Sequence, residues 1–445
     1  MTKHLFLLAL IVSALPADYP DQHRVYYAKE LWEKIAANTN VALSKDGKSI
    51  QLVNGATSGS FVLEPDTLSA YFDRGLPSWN GLVEAPNSGF KVVMRFREGA
   101  SWSPWLTVGY WKDHIWSSYG ATSYYGGKID YDYAKLNSYH RIYQWSVILT
   151  RASSGDTSPS ISKLSFFASD SRTTQNMNLT DILTDSPPEY FIPTDFVCQY
   201  DVDPKIGGSI CSPTSTVLAI RSYGIDVDAY SFAVDNYDAY WGIFGMWPRA
   251  VQNAAAFEMD GAVTRYRDWS QAYDTLAAGG RIVISVGPPL YGGHLMMLAG
   301  FDESGNPITH DPAKRNGDAY EHPKSELSLS WFDKGGVAYT FHHRTPAQLS
   351  ADQALVQPTR SRLESIFPNP FNSATTIRFA LDSPAEITLD VYDLSGKVVS
   401  RLAGGAYPEG LHQLRWNASG LSAGVYLVRL SVDGEFHLLR TTLLK

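Results

Sequence analysis

Runs of alternating apolar and polar residues, cut by clusters of Gly, Pro, Ser and Asn, limit this chain's folds more than any other feature. One run is Phe90-Lys91-Val92-Val93-Met94-Arg95-Phe96 and another is Arg141-Ile142-Tyr143-Gln144-Trp145-Ser146-Val147-Ile148-Leu149. A period of two puts successive side chains on opposite faces of a strand. Residues 18–186 therefore read as an antiparallel β-sandwich, with a short helix near its start at Ala28 to Asn38. Residues 367–445 read the same way. Their strand candidates are Thr376 to Phe379, Ile387 to Tyr392, His412 to Trp416 and Val425 to Leu430. Turns at Ser395-Gly396, Glu409-Gly410 and Asp433-Gly434 fit a small Ig-like sandwich.

The middle of the chain differs. Within 187–344, Thr214 to Tyr223 and Trp247 to Glu258 have helical spacing. Arg281 to Val286, His294 to Phe301 and Pro307 to His310 read as strands. Helices first and strands after predict an α+β domain. Residues 345–366 hold Pro346, Pro358, Gln348, Gln353 and Gln357 and read as a linker. The fold class is thus multi-domain, with all-β sandwiches at both ends and α+β between. The length of 445 residues agrees, at roughly 100–200 residues per domain.

Composition excludes several functions. Hydrophobic residues make up 44%, enough for real cores. A net charge of −8 argues against nucleic-acid binding, which needs a basic face. Two cysteines, Cys198 and Cys211, exclude a disulfide scaffold and a four-cysteine zinc site. The start has Lys3 and His4, an apolar run from Leu5 to Leu15 and small residues after it. Residues 1–17 therefore read as a secretory signal, and no later run is long enough to span a bilayer.

The chemistry centres on Cys211. It precedes Ser212-Pro213-Thr214-Ser215 and an apolar helical pattern, so it sits at a helix start, where the dipole favours a thiolate. Gly207 and Gly208 let backbone approach a substrate. His294, after Gly292-Gly293, is the candidate base, and Asp311, ending the next strand, is its orienter. Gln199, twelve residues before Cys211, offers a neutral donor for an oxyanion, with the Cys211 N–H as a second. Each has a plainer reading. Cys211 can be an inert buried thiol or be bonded to Cys198, and His310 can replace His294 as base. Asp311 before Pro312 can be only a turn former. The pairs Asp201/Asp203, Asp226/Asp228 and Asp235/Asp238 lack an EF-hand pattern and read as turns. His342-His343 and His322 lack metal-ligand spacing. Neither a metal nor an organic cofactor is implied.

Residues Ile192 to Phe341 resemble the bacterial papain-like cysteine peptidases related to the bacteriocin-processing, double-glycine leader peptidases. The matching pieces are Pro193 with Gln199, Cys211 to Ser215, Tyr240 to Val251, Gly293-His294, Gly300-Phe301, Asp311-Pro312-Ala313 and Ser330-Trp331. The resemblance implies a papain-like fold, with Cys211 as nucleophile, His294 as general base, Asp311 as orienter and Gln199 in the oxyanion hole. Ser212 departs from the usual Gly, and Cys198 stands where a Ser often precedes the Gln. Tyr240, Trp241, Phe244 and Trp247 are candidates for a substrate pocket or for core. Trp102 and Trp105 read as buried in the first sandwich.

The tail is similar to a type IX secretion C-terminal sorting domain. The residues are Pro368-Asn369-Pro370-Phe371-Asn372, Val391 to Gly396, His412, Trp416, Ala423 to Tyr426 and Leu443-Leu444-Lys445. This implies export through the periplasm of a Gram-negative-type bacterium, to a secreted or cell-surface location, with that machinery as partner. The expected function is a secreted cysteine peptidase acting on a peptide or protein. The alternatives are a catalytically silent peptide- or glycan-binding protein, or a transpeptidase or amidase using the same residues.

Overall fold

A computed structural model describes residues 20–112, 119–172, 179–344, 361–367, 371–381, 383–407, 410–432 and 434–444. The signal reading, Pro368 to Pro370, Glu409, Asp433, Lys445 and most of the linker lie outside them. The molecule is mostly β, in several sheets, with a C-terminal β domain.

The first segment is organised by two long strands that change partners. Asp66–Leu82 pairs with Tyr133–Thr150 from Asp66 to Gly75, then with Ser160–Ser169 from Arg74 to Leu82. Tyr133–Thr150 in turn moves on to Ser58–Leu63 and Gly89–Glu98, after irregularities around His140. Such bends let one strand serve two layers. The layers close on Trp79, Phe90, Phe96, Trp145 and Phe166, all essentially inaccessible to solvent. The expected helix at Ala28 to Asn38 is shorter. It covers Ala28–Glu33, and Ile35–Thr39 extends to pair with Ser58–Leu63. Trp102 and Trp105 are half-buried, and both pack on the Arg95 guanidinium.

The central sheet is antiparallel. Its order is Met259–Arg265, Val337–His343, Arg281–Val286, His294–Phe301, Pro307–His310 and Tyr320–Glu321, with Tyr190–Phe191 added beside His294–Phe301. Gly300 permits that addition. Its φ is +144°, and a Cβ there would stand 1.8 Å from the Tyr190 carbonyl oxygen. The helices Cys211–Arg221 and Trp247–Ala255 cover the sheet and share a core in which Leu218, Val251, Ile284, Met296 and Trp331 are wholly buried.

This core does not stop at residue 187. Leu76 and Phe167 of the first segment belong to it. Gln252 Nε2 donates to the Gly81 carbonyl at 2.8 Å, Arg249 Nη1 to that of Tyr110 at 2.9 Å, and the Val263 N–H to Ser78 Oγ at 3.1 Å. Lys163 forms a buried ion pair with Asp260.

The tail has its own core. A three-stranded sheet, Arg362–Phe367, Ala374–Leu381 and Gly410–Asn417, shares Phe379, Leu389, Val391, Trp416 and Val428 with a four-stranded one. The latter runs Val398–Tyr407, Ala385–Tyr392, Gly424–Val432 and Glu435–Leu443. The strand Arg362–Phe367 starts inside the stretch read as linker, because Leu363 and Ile366 face this core.

Candidate active site

Cys211 is the first residue of the Cys211–Arg221 helix. Ile210 precedes it and offers no side-chain cap, and Pro213 falls in the first turn, where a missing N–H costs nothing. Unclaimed first-turn N–H groups therefore face the thiol. The backbone N–H groups of Ser212 and, from the neighbouring strand, Leu295 both hydrogen-bond to Cys211. Ser215 Oγ donates to the Leu295 carbonyl at 2.9 Å and ties the helix start to the strand start.

His294 opens the His294–Phe301 strand opposite Val286. Its Nε2 lies 2.8 Å from Asp311 Oδ1. The imidazole also interacts with the Cys211 thiol through a hydrogen bond and charge. Asp311 is wholly buried. The Ala313 N–H adds a bond to Oδ1 at 3.0 Å, while Oδ2 accepts from Tyr291 Oη at 2.5 Å and from His322 Nε2 at 3.2 Å. The Tyr291 ring also lies 4.3 Å from the His294 ring, centroid to centroid.

Electrostatics follow from this wiring. Burial pushes the Asp311 carboxyl up, but His294, His322 and Tyr291 outweigh it and hold it far below the usual range. Burial pulls His294 down, but its bonds to Asp311 and Cys211 raise it to about 9. Burial raises the Cys211 thiol, but the His294 bond and charge, with the two backbone N–H groups, bring it below the ordinary value. Each group therefore stabilises the charged form of the other, thiolate against imidazolium.

Three of the four candidate residues are thus joined in one chain of hydrogen bonds. Gln199 is not bonded to them. It is buried, its Nε2 donates to the Gly207 carbonyl at 2.7 Å, and its Oε1 has no partner. Its backbone N–H reaches the Pro312 carbonyl at 2.8 Å, next to Asp311. Both cysteines are free thiols, so the Cys198–Cys211 bridge is not formed. His310 is spent elsewhere, with Nε2 on the Ile192 carbonyl at 2.8 Å and Nδ1 on Asp318 at 2.8 Å. Ser212 is buried and shares a 2.8 Å hydrogen bond with Tyr339. Asp203, Asp228 and Asp238 accept backbone N–H groups in turns and at a helix start. Tyr240 is exposed and stacks on Tyr119 at 4.3 Å, while Trp241, Phe244 and Trp247 are half-buried.

Sequence reasoning missed Tyr291 and His322. His322 was visible as a lone histidine lacking ligand spacing, and Tyr291 as one aromatic among many.

A thiol at a helix start, an imidazole at a strand start and a buried carboxylate behind it define a cysteine peptidase-like protein. Residues 192–339 match the Peptidase_C39 like family, and residues 365–441 match the secretion system C-terminal sorting domain. The latter marks the chain for type IX export to a secreted or cell-surface location. No curated protein matches the chain. Among solved structures, one similar chain is PorZ, an essential bacterial surface component of the type-IX secretion system of Porphyromonas gingivalis. It is 16% identical, with 34% of this chain and 21% of that one covered and a TM-score of 0.15. Another is the Faecalibacterium prausnitzii beta-glucuronidase, at 8% identity, 96% and 47% coverage and a TM-score of 0.15. The chain thus spans less than half the length of either. Among the described residues no helix is long and apolar enough to cross a membrane.

Proposed function

We propose that this protein is an exported cysteine peptidase that hydrolyses peptide bonds with Cys211, His294 and Asp311. The hydrogen-bond chain from Cys211 through His294 to Asp311 carries the reading. The Cys211 thiolate attacks the scissile carbonyl carbon, and the carbonyl π electrons move to oxygen. The Cys211 backbone N–H and the second N–H of the Gln199 amide, the one not given to Gly207, receive that oxyanion. The imidazolium of His294 gives its proton to the departing amine as the C–N bond breaks, leaving a thioester on Cys211. Water then adds to the thioester, its proton passes to His294, and the C–S bond breaks to release the acid and restore the thiolate. Asp311 keeps the imidazole oriented and supports its positive charge throughout.

On this reading residues 1–17 are a cleaved signal and residues 18–186 a β-sandwich accessory unit. Residues 187–344 have a papain-like fold, and the tail is an Ig-like domain recognised by the type IX machinery. The substrate is a peptide or protein.

The test is alkylation by iodoacetamide at pH 6 to 7 without reductant, read by mass spectrometry, with His294→Ala in parallel. Rapid labelling of Cys211 that slows in His294→Ala supports the reading, and a peptide library then identifies the cleaved bond. A Cys211 no faster than an ordinary thiol, or one indifferent to His294→Ala, overturns it.

A further inference from the structure

Lys334 follows the helical turn Leu329–Asp333 and reaches back toward the thiol. Its stem crosses Gly287, where a Cβ would stand 3.3 Å from the lysine Cδ. Its ammonium donates to the Val286 carbonyl at 3.0 Å and to Ser285 Oγ at 3.3 Å. Those two residues pair in register with His294 and Leu295. His294 and Leu295 are in turn the residues whose imidazole and backbone N–H hold Cys211. The lysine charge is therefore anchored one strand away from the reacting pair, within electrostatic reach of the Cys211 sulfur.

Nothing acidic answers it. Among the described residues no carboxylate lies within ion-pair distance of Lys334 Nζ. Asp311, the carboxylate of the site, is already engaged by His294, His322 and Tyr291. An ammonium has three N–H groups, and its two acceptors here are neutral. Burial pulls Lys334 down, and the Cys211 thiolate is the one charge that pulls it back up. Lys334 is exposed at its own position, and a cation with a spare donor beside a nucleophile favours an anion on what the nucleophile attacks.

We propose that Lys334 binds a carboxylate on the substrate next to the scissile bond, either a free C-terminal α-carboxylate or an Asp or Glu side chain. This rests on the reading of Cys211 as nucleophile. Lys334 is then a specificity residue, and the preferred substrates are acidic at that position.

The experiment compares iodoacetate with iodoacetamide on the full chain, with Cys211 labelling mapped by mass spectrometry. Both reagents need the same thiolate, so the ratio of their rates cancels the thiolate fraction and leaves the attraction for a carboxylate. We expect the ratio to fall about three- to tenfold in Lys334→Met and to recover in Lys334→Arg. An unchanged ratio in Lys334→Met overturns the proposal, even if both rates drop, since equal drops mean the lysine only stabilises the thiolate. Slow labelling by both reagents in the unmodified chain instead removes the nucleophile reading, and this proposal with it. Matched peptides then separate the two carboxylate sources. One pair differs by C-terminal acid against amide, the other by internal Glu against Gln. The pair whose preference disappears in Lys334→Met names the source, and a loss in neither pair overturns the proposal.

Discussion

The Tyr291 hydroxyl donates to Asp311 Oδ2 at 2.5 Å, on the side of the carboxylate away from His294. That bond draws negative charge from the carboxylate whose other oxygen supports the imidazolium. Tyr291→Phe keeps the ring against His294 and removes the bond. The carboxylate then holds the imidazolium more strongly, so the alkaline limb of the peptide-cleavage profile moves up by a fraction of a pH unit. Tyr291→Ala also removes the ring, admits water to the Asp311–His294 pair and lowers the rate further. A Tyr291→Phe profile that superimposes on the unmodified one shows that the hydroxyl does not tune the pair.

The pH dependence of peptide cleavage follows from the ion pair. His294 is raised to about 9, so the imidazolium that protonates the leaving amine is present below that pH and lost as pH rises through it. The His294 bond and charge hold the Cys211 thiol below its ordinary value, so its thiolate forms at lower pH than that of an ordinary thiol. The profile of kcat/KM is a bell whose alkaline side falls near pH 9. In His294→Ala the lowering contacts from the imidazole vanish and burial dominates, so alkylation of Cys211 follows a thiol titrating at higher pH.

Asp132 makes the stability of the fold fall with pH. It is buried, accepts the Trp247 N–H at 2.6 Å and is raised to about 7, chiefly by burial. Its folded value exceeds the unfolded one of about 3.9. The folded state therefore keeps a proton that the unfolded chain has released, and stability declines as pH rises through that window. Asp132→Asn keeps an acceptor for Trp247 without the charge. At pH 8 it unfolds at a higher temperature than the unmodified chain, by roughly 1–4 kcal/mol in stability, and the gap closes toward pH 4. Thermal unfolding across that range checks the trend.

Cys198 and Cys211 differ in accessibility as well as in partners. Cys198 is buried and Cys211 only partly so. The native chain therefore labels at one thiol and the unfolded chain at two. Cys198→Ala retains the labelling rate of Cys211. Intact mass without reductant, before and after denaturation, gives the count.

Gly300→Ala breaks the edge pairing beside His294. The added Cβ meets the Tyr190 carbonyl oxygen at 1.8 Å, and alanine does not tolerate φ +144°. A loss above about 3 kcal/mol is expected in chemical denaturation.

The sequence disclosed what neighbouring residues decide. Arg281–Val286, His294–Phe301 and Pro307–His310 have the expected bounds, because each is an apolar run ended by Gly, Pro or Asp. The helix at Cys211 was legible from Pro213 and the run behind it, although it begins three residues before the expected Thr214. The spacing of Cys211, His294 and Asp311 was legible too. Long-range contacts were not. Tyr291 and His322 flank Asp311 from positions 20 and 11 residues away, and no local period marks them. Ile35–Thr39 continues a helical pattern, but pairing with Ser58–Leu63 overrides it. Lys334 acquires its meaning only when Val286 is set opposite His294.

The core that runs past residue 187 decides which parts of the chain unfold together. Leu76 and Phe167 sit among the apolar residues behind the central sheet, and Asp132 holds the start of the Trp247 helix. Stripped of the first segment, the central one would leave that apolar side open to water. The two segments are therefore expected to melt in a single transition, while the tail, closed on Phe379 and Trp416 by itself, melts separately.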